Sequence, residues 1–203
     1  MPKSYAVPNI NTIDNIRLRK ILTDFSGGLN LKAFPTELKD NEAQVLNDAW
    51  WRKDQNNCQL ITNSGYLVIN EGEALGKVLG ANLCTLNLLQ GTEFMPDLNG
   101  AVLFIEDDEL TFPAEFDRDL QSLIHLPSFK GIKGLVIGRF QKASKVSSDL
   151  LKQIIKSKKE LNGIPVIAGV DFGHTDPKIT FPIGGEVQID ANDGKTEINF
   201  TRH

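Results

Sequence analysis

The spacing of apolar residues divides this chain near residue 58. Before it, apolar positions are scattered. "SYAVPNINTIDNIRLRKILTDF" begins loop-like, then sets Ile13, Ile16, Leu22 and Phe25 on one side of a short amphipathic helix that "SGG" at 26–28 ends. "NLKAFPTELKDNEAQVLNDAWWRKDQNN" is mixed and without a period, and reads as a connector carrying Trp50 and Trp51. After residue 58 the pattern tightens. "CQLIT" and "YLVIN" predict short strands between turn residues, and "NLCTLNLLQG" a short helix ending at glycine. "AVLFIE" predicts a buried strand that closes on an acid. "TFPAEFDRDLQSLIH" predicts a helix with Thr111 as cap, Pro113 in the first turn and Phe116, Leu120, Leu123 and Ile124 on its apolar face. "KGLVIGRF" reads as the next strand. In "SSDLLKQIIKSKKEL", Ser147 or Ser148 caps a helix with Leu150, Leu151, Ile154, Ile155 and Leu161 inward and Lys152, Lys156, Lys158 and Lys159 off that face. "IPVIAGVDF", "ITFPIG", "GEVQID" and "KTEINF" read as strands, the last two joined by an "ANDG" hairpin.

Strand, helix, strand, helix, strand in the middle implies crossovers and parallel pairing; hairpin-like strands at both ends add antiparallel pairs. The expectation is a mixed α/β domain with more than one small sheet. With 203 residues, 40% hydrophobic, the chain can bury one sizeable core. A net charge of −4 gives no basic footprint for nucleic acid. No apolar run approaches a membrane span, and the N-terminus has no signal-peptide core. Cys58 and Cys84 stand apart without a C-x-x-C, which fits a reducing, cytoplasmic compartment.

Candidate chemistry is sparse. Of three histidines, His203 is terminal and His125 closes a helix, where a positive charge suits the dipole. His174, in "DFGHTDP", follows a buried strand, and in α/β sheets ligands sit at the strands' carboxyl ends. A functional role and a structural turn both remain open for it. Glu106 ends "AVLFI" and could orient a histidine as a triad acid does; Asp107, Asp108 and Glu109 read as a solvated acidic turn. No H-E-x-x-H or calcium-loop spacing supports a metal, and no Walker spacing a phosphate loop. No G-x-S-x-G elbow appears; Ser26 and Ser64 precede glycines without a strand-to-helix turn, and Ser122 lies within a helix. Cys84, in an apolar stretch, reads as a buried inert thiol. The residues offer an acid and a base without an evident nucleophile.

"GYLVINEGEALGKVLGANLCTLNLLQGTEFMPDLNGAVLFIEDDEL", then "GRF", then "DFGHTDPKITFPIGG", resembles the LD-carboxypeptidase family of serine peptidases, in particular its branch of microcin C self-immunity proteins. The resemblance covers about residues 58–190 well. It implies a swivelling β/β/α-type C-terminal domain with a mixed sheet at 58–203, preceded by an interdomain segment and connector at 1–57. The family's flavodoxin-like N-terminal domain, which bears the nucleophilic serine, is expected to be absent, leaving this chain inactive alone. By motif, Glu106 and His174 match the triad acid and base. Asn82 in "GANL" matches a signature beside the active site. Trp50 or Trp51 could stack on a nucleobase, Trp50 favoured by its place in the matching segment, or could pack against the N-terminal domain; both remain open. The implied activity is hydrolysis of amide bonds in LD-peptides or in peptidyl- or aminoacyl-nucleotides of microcin C type, without cofactor or metal. The implied partners are that substrate, the serine-bearing N-terminal domain and, left open, a second copy in a homodimer. Competing readings are a non-catalytic binding or regulatory module that kept the fold, and a cysteine hydrolase using Cys84 and His174.

Overall fold

The computed structural model describes residues 29–31, 64–175 and 178–202. The expected helix over 13–25, the "CQLIT" strand, Ser26, Trp50, Trp51, Cys58 and His203 lie outside these residues.

Among the described residues all strands belong to one sheet, not several. They are β1 (Leu29–Leu31), β2 (Leu67–Asn70), β3 (Gly72–Asn82), β4 (Ala101–Glu106), β5 (Gly134–Gly138), β6 (Val166–Val170), β7 (Glu186–Ala191) and β8 (Glu197–Arg202), ordered β1-β8-β7-β3-β4-β5-β6-β2. The eleven-residue β3 unites the two expected halves. Its length lets it run parallel to β4 from Lys77 to Asn82 while Gly72 to Lys77 pair antiparallel with β7. β3, β4, β5 and β6 form a parallel core, β2 caps one edge antiparallel, and the β7–β8 hairpin and β1 extend the other. The hairpin turns through Asp193 and Gly194, both at positive φ, as the "ANDG" signal requires.

The parallel strands are connected through α1 (Leu83–Asn87), α2 (Pro113–Ile124) and α3 (Ser148–Ser157). Leu103, Ile105, Leu135, Ile137, Val166 and Ala168 point to the helices and meet Phe116, Leu120, Leu123, Leu151, Ile154 and Ile155. The alternate residues Val102, Phe104, Val136 and Ile167 point to the other face. Both faces are therefore covered, which is why "AVLFI" is continuously apolar instead of alternating. No described helix covers the second face; the sheet curls over it. Phe104 on β4 and Phe200 on β8 are three strand steps apart, about 14 Å in a flat sheet at the usual spacing. Their ring centroids lie 5.8 Å apart, with Phe181 packed between the same partners at 4.8 and 5.6 Å.

Local departures from the sequence pattern have physical causes. Pro113 sets the first helical position of α2, so Phe112 is the cap residue and contributes no side-chain bond. Thr111 falls one residue too early to cap and is buried beside Asp107. Ser147, not Ser148, caps α3, accepting from Leu150 N at 3.3 Å. α3 ends at Ser157, so helical periodicity no longer governs Lys158. Expected off the apolar face, Lys158 is buried and paired with Asp117 of α2. "ITFPIG" alternates as a strand does, with Ile179 and Phe181 inward, yet forms none. Its backbone bonds go elsewhere: Ile179 N to Asp171 O at 2.7 Å and Gly184 N to Val78 O at 2.8 Å.

Candidate active site

Glu106 is the last residue of β4, and His174 lies four residues beyond the end of β6. β5 runs between these strands. The two side chains nevertheless meet: His174 Nδ1 is 2.6 Å from Glu106 Oε2. Two glycines permit this. A Cβ on Gly138, the last residue of β5, would lie 2.8 Å from Glu106 Cβ and 2.7 Å from Phe172 O. A Cβ on Gly173 would lie 2.8 Å from Glu106 Oε2, and that residue holds φ +98°, where side chains are strained. Glycine at both positions lets the carboxylate reach over β5 to the ring.

Burial pushes the Glu106 carboxyl above its ordinary range; the His174 ring and the Asn82 amide pull against that shift. Glu106 is 13% exposed and His174 32%, so the acid is the more enclosed of the two. A histidine held at Nδ1 by a carboxylate has its tautomer and ring orientation set, which readies Nε2 to exchange a proton.

Asn82 ends β3 in register with Glu106. Its Oδ1 accepts from Thr85 N at 2.9 Å and caps α1, and its Nδ2 donates to Asp107 Oδ1 at 3.0 Å. Asp107 is accordingly buried, not part of a solvated turn. Burial raises its carboxyl above the ordinary range, with Thr111, Asn82 and the Asp108 N–H acting in the opposite direction. Asp108 does form a turn, accepting from Leu110 N at 2.8 Å. Cys84 is exposed instead of buried, because a helix of five residues turns only Leu83 and Leu86 inward. Desolvation and the carboxylates of Asp107, Asp119 and Asp108 raise its thiol pKa, contrary to what an activated nucleophile needs. His125 caps the C-terminus of α2, exposed and bonded to Gln121. Trp50 lies outside the described residues.

Residue reading did not single out Gly138, Arg139, Asp171 or Tyr66. Asp171, directly after β6, is fully buried, paired with Arg139 and bonded by Tyr66 Oη at 3.2 Å. The signal was present as charges at the ends of wholly apolar strands in "GLVIGRF" and "VIAGVDF". Among the described residues no group of acids, histidines or cysteines is arranged to hold a metal, and no helix is long and apolar enough to cross a membrane.

A carboxylate joined to a histidine over a glycine is an arrangement that can fix one imidazole tautomer and move a proton. The chain belongs to the LD-carboxypeptidase family: the model of the LD-carboxypeptidase C-terminal domain matches residues 75–189. YocD of Bacillus subtilis (strain 168), named a carboxypeptidase, is 54% identical over 156 residues, spanning 77% of this chain and 48% of that protein. The microcin C7 self-immunity protein MccF of Escherichia coli is 30% identical over 190 residues, 88% of this chain and 51% of its own length. A solved structure of MccF in complex with aspartyl sulfamoyl adenosine is 26% identical, with a TM-score of 0.70 over 97% of this chain and 57% of that one. The crystal structure of an MccF-like protein from Bacillus anthracis str. Ames is 40% identical, with a TM-score of 0.80 over 93% of this chain and 55% of that one. The chain thus spans about half the length of these relatives. The expected α/β fold with the mixed sheet of the family's C-terminal domain is borne out; that the strands form one curled sheet was not expected.

Proposed function

We propose that this chain is the C-terminal half of a serine peptidase or amidase, in which Glu106 and His174 act on a serine supplied from outside these 203 residues. The observation that carries the reading is the 2.6 Å contact between His174 Nδ1 and Glu106 Oε2. The serine hydroxyl attacks an amide carbonyl as His174 Nε2 takes its proton. Glu106 holds the Nδ1–H and stabilises the imidazolium. His174 then protonates the leaving amine, and water hydrolyses the acyl-enzyme by the same proton route. Backbone N–H groups of the serine-bearing part stabilise the oxyanion.

The substrate class is an amide of an LD-peptide or of a peptidyl- or aminoacyl-nucleotide. The family name supports the first, and the aspartyl sulfamoyl adenosine bound to MccF supports the second. Asn82, adjacent to Glu106, and Trp50 are the proposed substrate contacts, Trp50 stacking on a base where one is present.

A fluorophosphonate probe, an LD-tetrapeptide and an aspartyl-nucleotide amide, each incubated with the chain and read by mass spectrometry, test the division of labour. The expected result is no labelled serine and no cleavage; labelling or turnover refutes an external nucleophile. In the serine-bearing protein, His174→Ala should lower kcat/KM on the order of 10⁴–10⁶-fold. Unchanged turnover there removes His174 from the mechanism.

A further inference from the structure

We infer that Tyr66, Arg139 and Asp171 form a clamp that positions His174, so that they are positioning residues for the proposed reaction; this rests on reading His174 as the base. Asp171 is the first residue after β6 and stands three residues before His174. Its side chain has no exposure, and a carboxylate taken out of water needs close partners. The Arg139 guanidinium pairs with it, and the Tyr66 hydroxyl donates to Oδ2 at 3.2 Å.

Arg139 is held at both ends. Its backbone N–H donates to Val170 O at 3.1 Å, and its guanidinium donates to Gly169 O at 3.2 Å as well as to Asp171. It thereby ties the end of β5 to the last residues of β6. Tyr66 directly precedes β2, the strand on the other side of β6. The Asp171 carbonyl accepts from Ile179 N at 2.7 Å, closing the neck of the 171–179 loop that carries His174. Three strand ends therefore converge on the residue from which the histidine loop departs. Glu106 approaches from β4, so the relay is short only while the loop and β4 keep one relative position. A misplacement of about 1 Å at such a site costs on the order of 10²-fold in rate.

The test uses the 203-residue chain with labelled histidine, and reads the Nδ1 proton of His174 by NMR well below the melting temperature. A short hydrogen bond to a carboxylate moves this proton far downfield and protects it from exchange. Arg139→Met and Asp171→Asn should lose the resonance while the sheet amides keep their pattern; Arg139→Lys should restore part of it. A purely structural contribution lowers the melting temperature and leaves the resonance intact, and that result in folded Arg139→Met overturns the clamp. Should Arg139→Met not fold, Tyr66→Phe, which removes one hydroxyl, decides alone: a weakened resonance supports the clamp and an unchanged one refutes it. In the serine-bearing protein these variants should lower kcat with KM nearly constant. Loss of the resonance with full turnover would sink the role of His174 as base while leaving the clamp in place.

Discussion

Gly173→Ala gives a direct test of how the acid and the base are brought together. The substitution adds one methyl group at φ +98°, 2.8 Å from Glu106 Oε2 and 3.0 Å from Glu106 Cβ. Backbone strain of this kind costs roughly 1–3 kcal/mol. At about 2–4 °C per kcal/mol for a chain of this size, the melting temperature should fall by about 2–12 °C. The steric demand adds a second effect: the carboxylate must leave its place against His174 Nδ1. Gly163→Ala separates the two. Gly163 holds φ +86°, and its added methyl would meet nothing within 4 Å, so it reports strain alone, roughly 1–2 kcal/mol. Thermal melts monitored by circular dichroism, with NMR of the His174 ring, read both consequences. Gly163→Ala should lower the melting temperature and preserve the downfield proton; Gly173→Ala should lower it at least as far and abolish that proton. A Gly173→Ala chain with unchanged melting temperature and an intact resonance refutes the reasoning.

Phe104→Ala should cost about 3–5 kcal/mol, because the ring is fully buried among Phe172, Phe181 and Phe200 and ties the curled sheet to itself. Urea titration checks it against Leu110→Ala, an exposed position where the change should stay within about 0.5 kcal/mol. Asp107→Asn should make the chain more stable relative to the parent as pH rises. The folded state raises this carboxyl's pKa, so its ionisation weakens the fold. That loss is absent below the unfolded value of about 3.9, develops as pH climbs through the folded pKa, and persists above it. Denaturation midpoints of both proteins across this range should diverge with increasing pH; parallel curves contradict the assignment.

Much of this molecule was legible along the chain because its signals are local. The apolar face of α2, Phe116, Leu120, Leu123 and Ile124, is a 3.6-residue pattern, and every one of those side chains is buried. "AVLFIE" is a strand from Ala101 to Glu106, and it is apolar nearly throughout because both of its faces are covered. The positions of Glu106 and His174 after buried strands were readable by the same means, and so was their possible pairing, which the resemblance then matched to a triad's acid and base. Where local pattern misled, a distant partner intervened. Asp107 looked like a solvated acid until Asn82 of the neighbouring strand supplied its hydrogen bond. Lys158 looked like another surface lysine until α2 brought Asp117 to it.

The sequence by itself determined α2, α3, β4 and the strands β5 to β8, which faces of the helices are apolar and which side chains are delivered to strand ends; it did not reveal β3 or the irregular path of "ITFPIG". Periodicity, capping residues and turn glycines act within a few residues of one another, so their reading needs no knowledge of the whole. Tertiary structure alone decided that β3 serves two half-sheets, that the sheet curls until Phe104 meets Phe200, and that Glu106 crosses Gly138 to reach His174. Those outcomes depend on strand order and on contacts between residues far apart in sequence. The same glycine that looks like an ordinary strand end in "GLVIG" becomes, between β4 and β6, the gap through which acid and base meet.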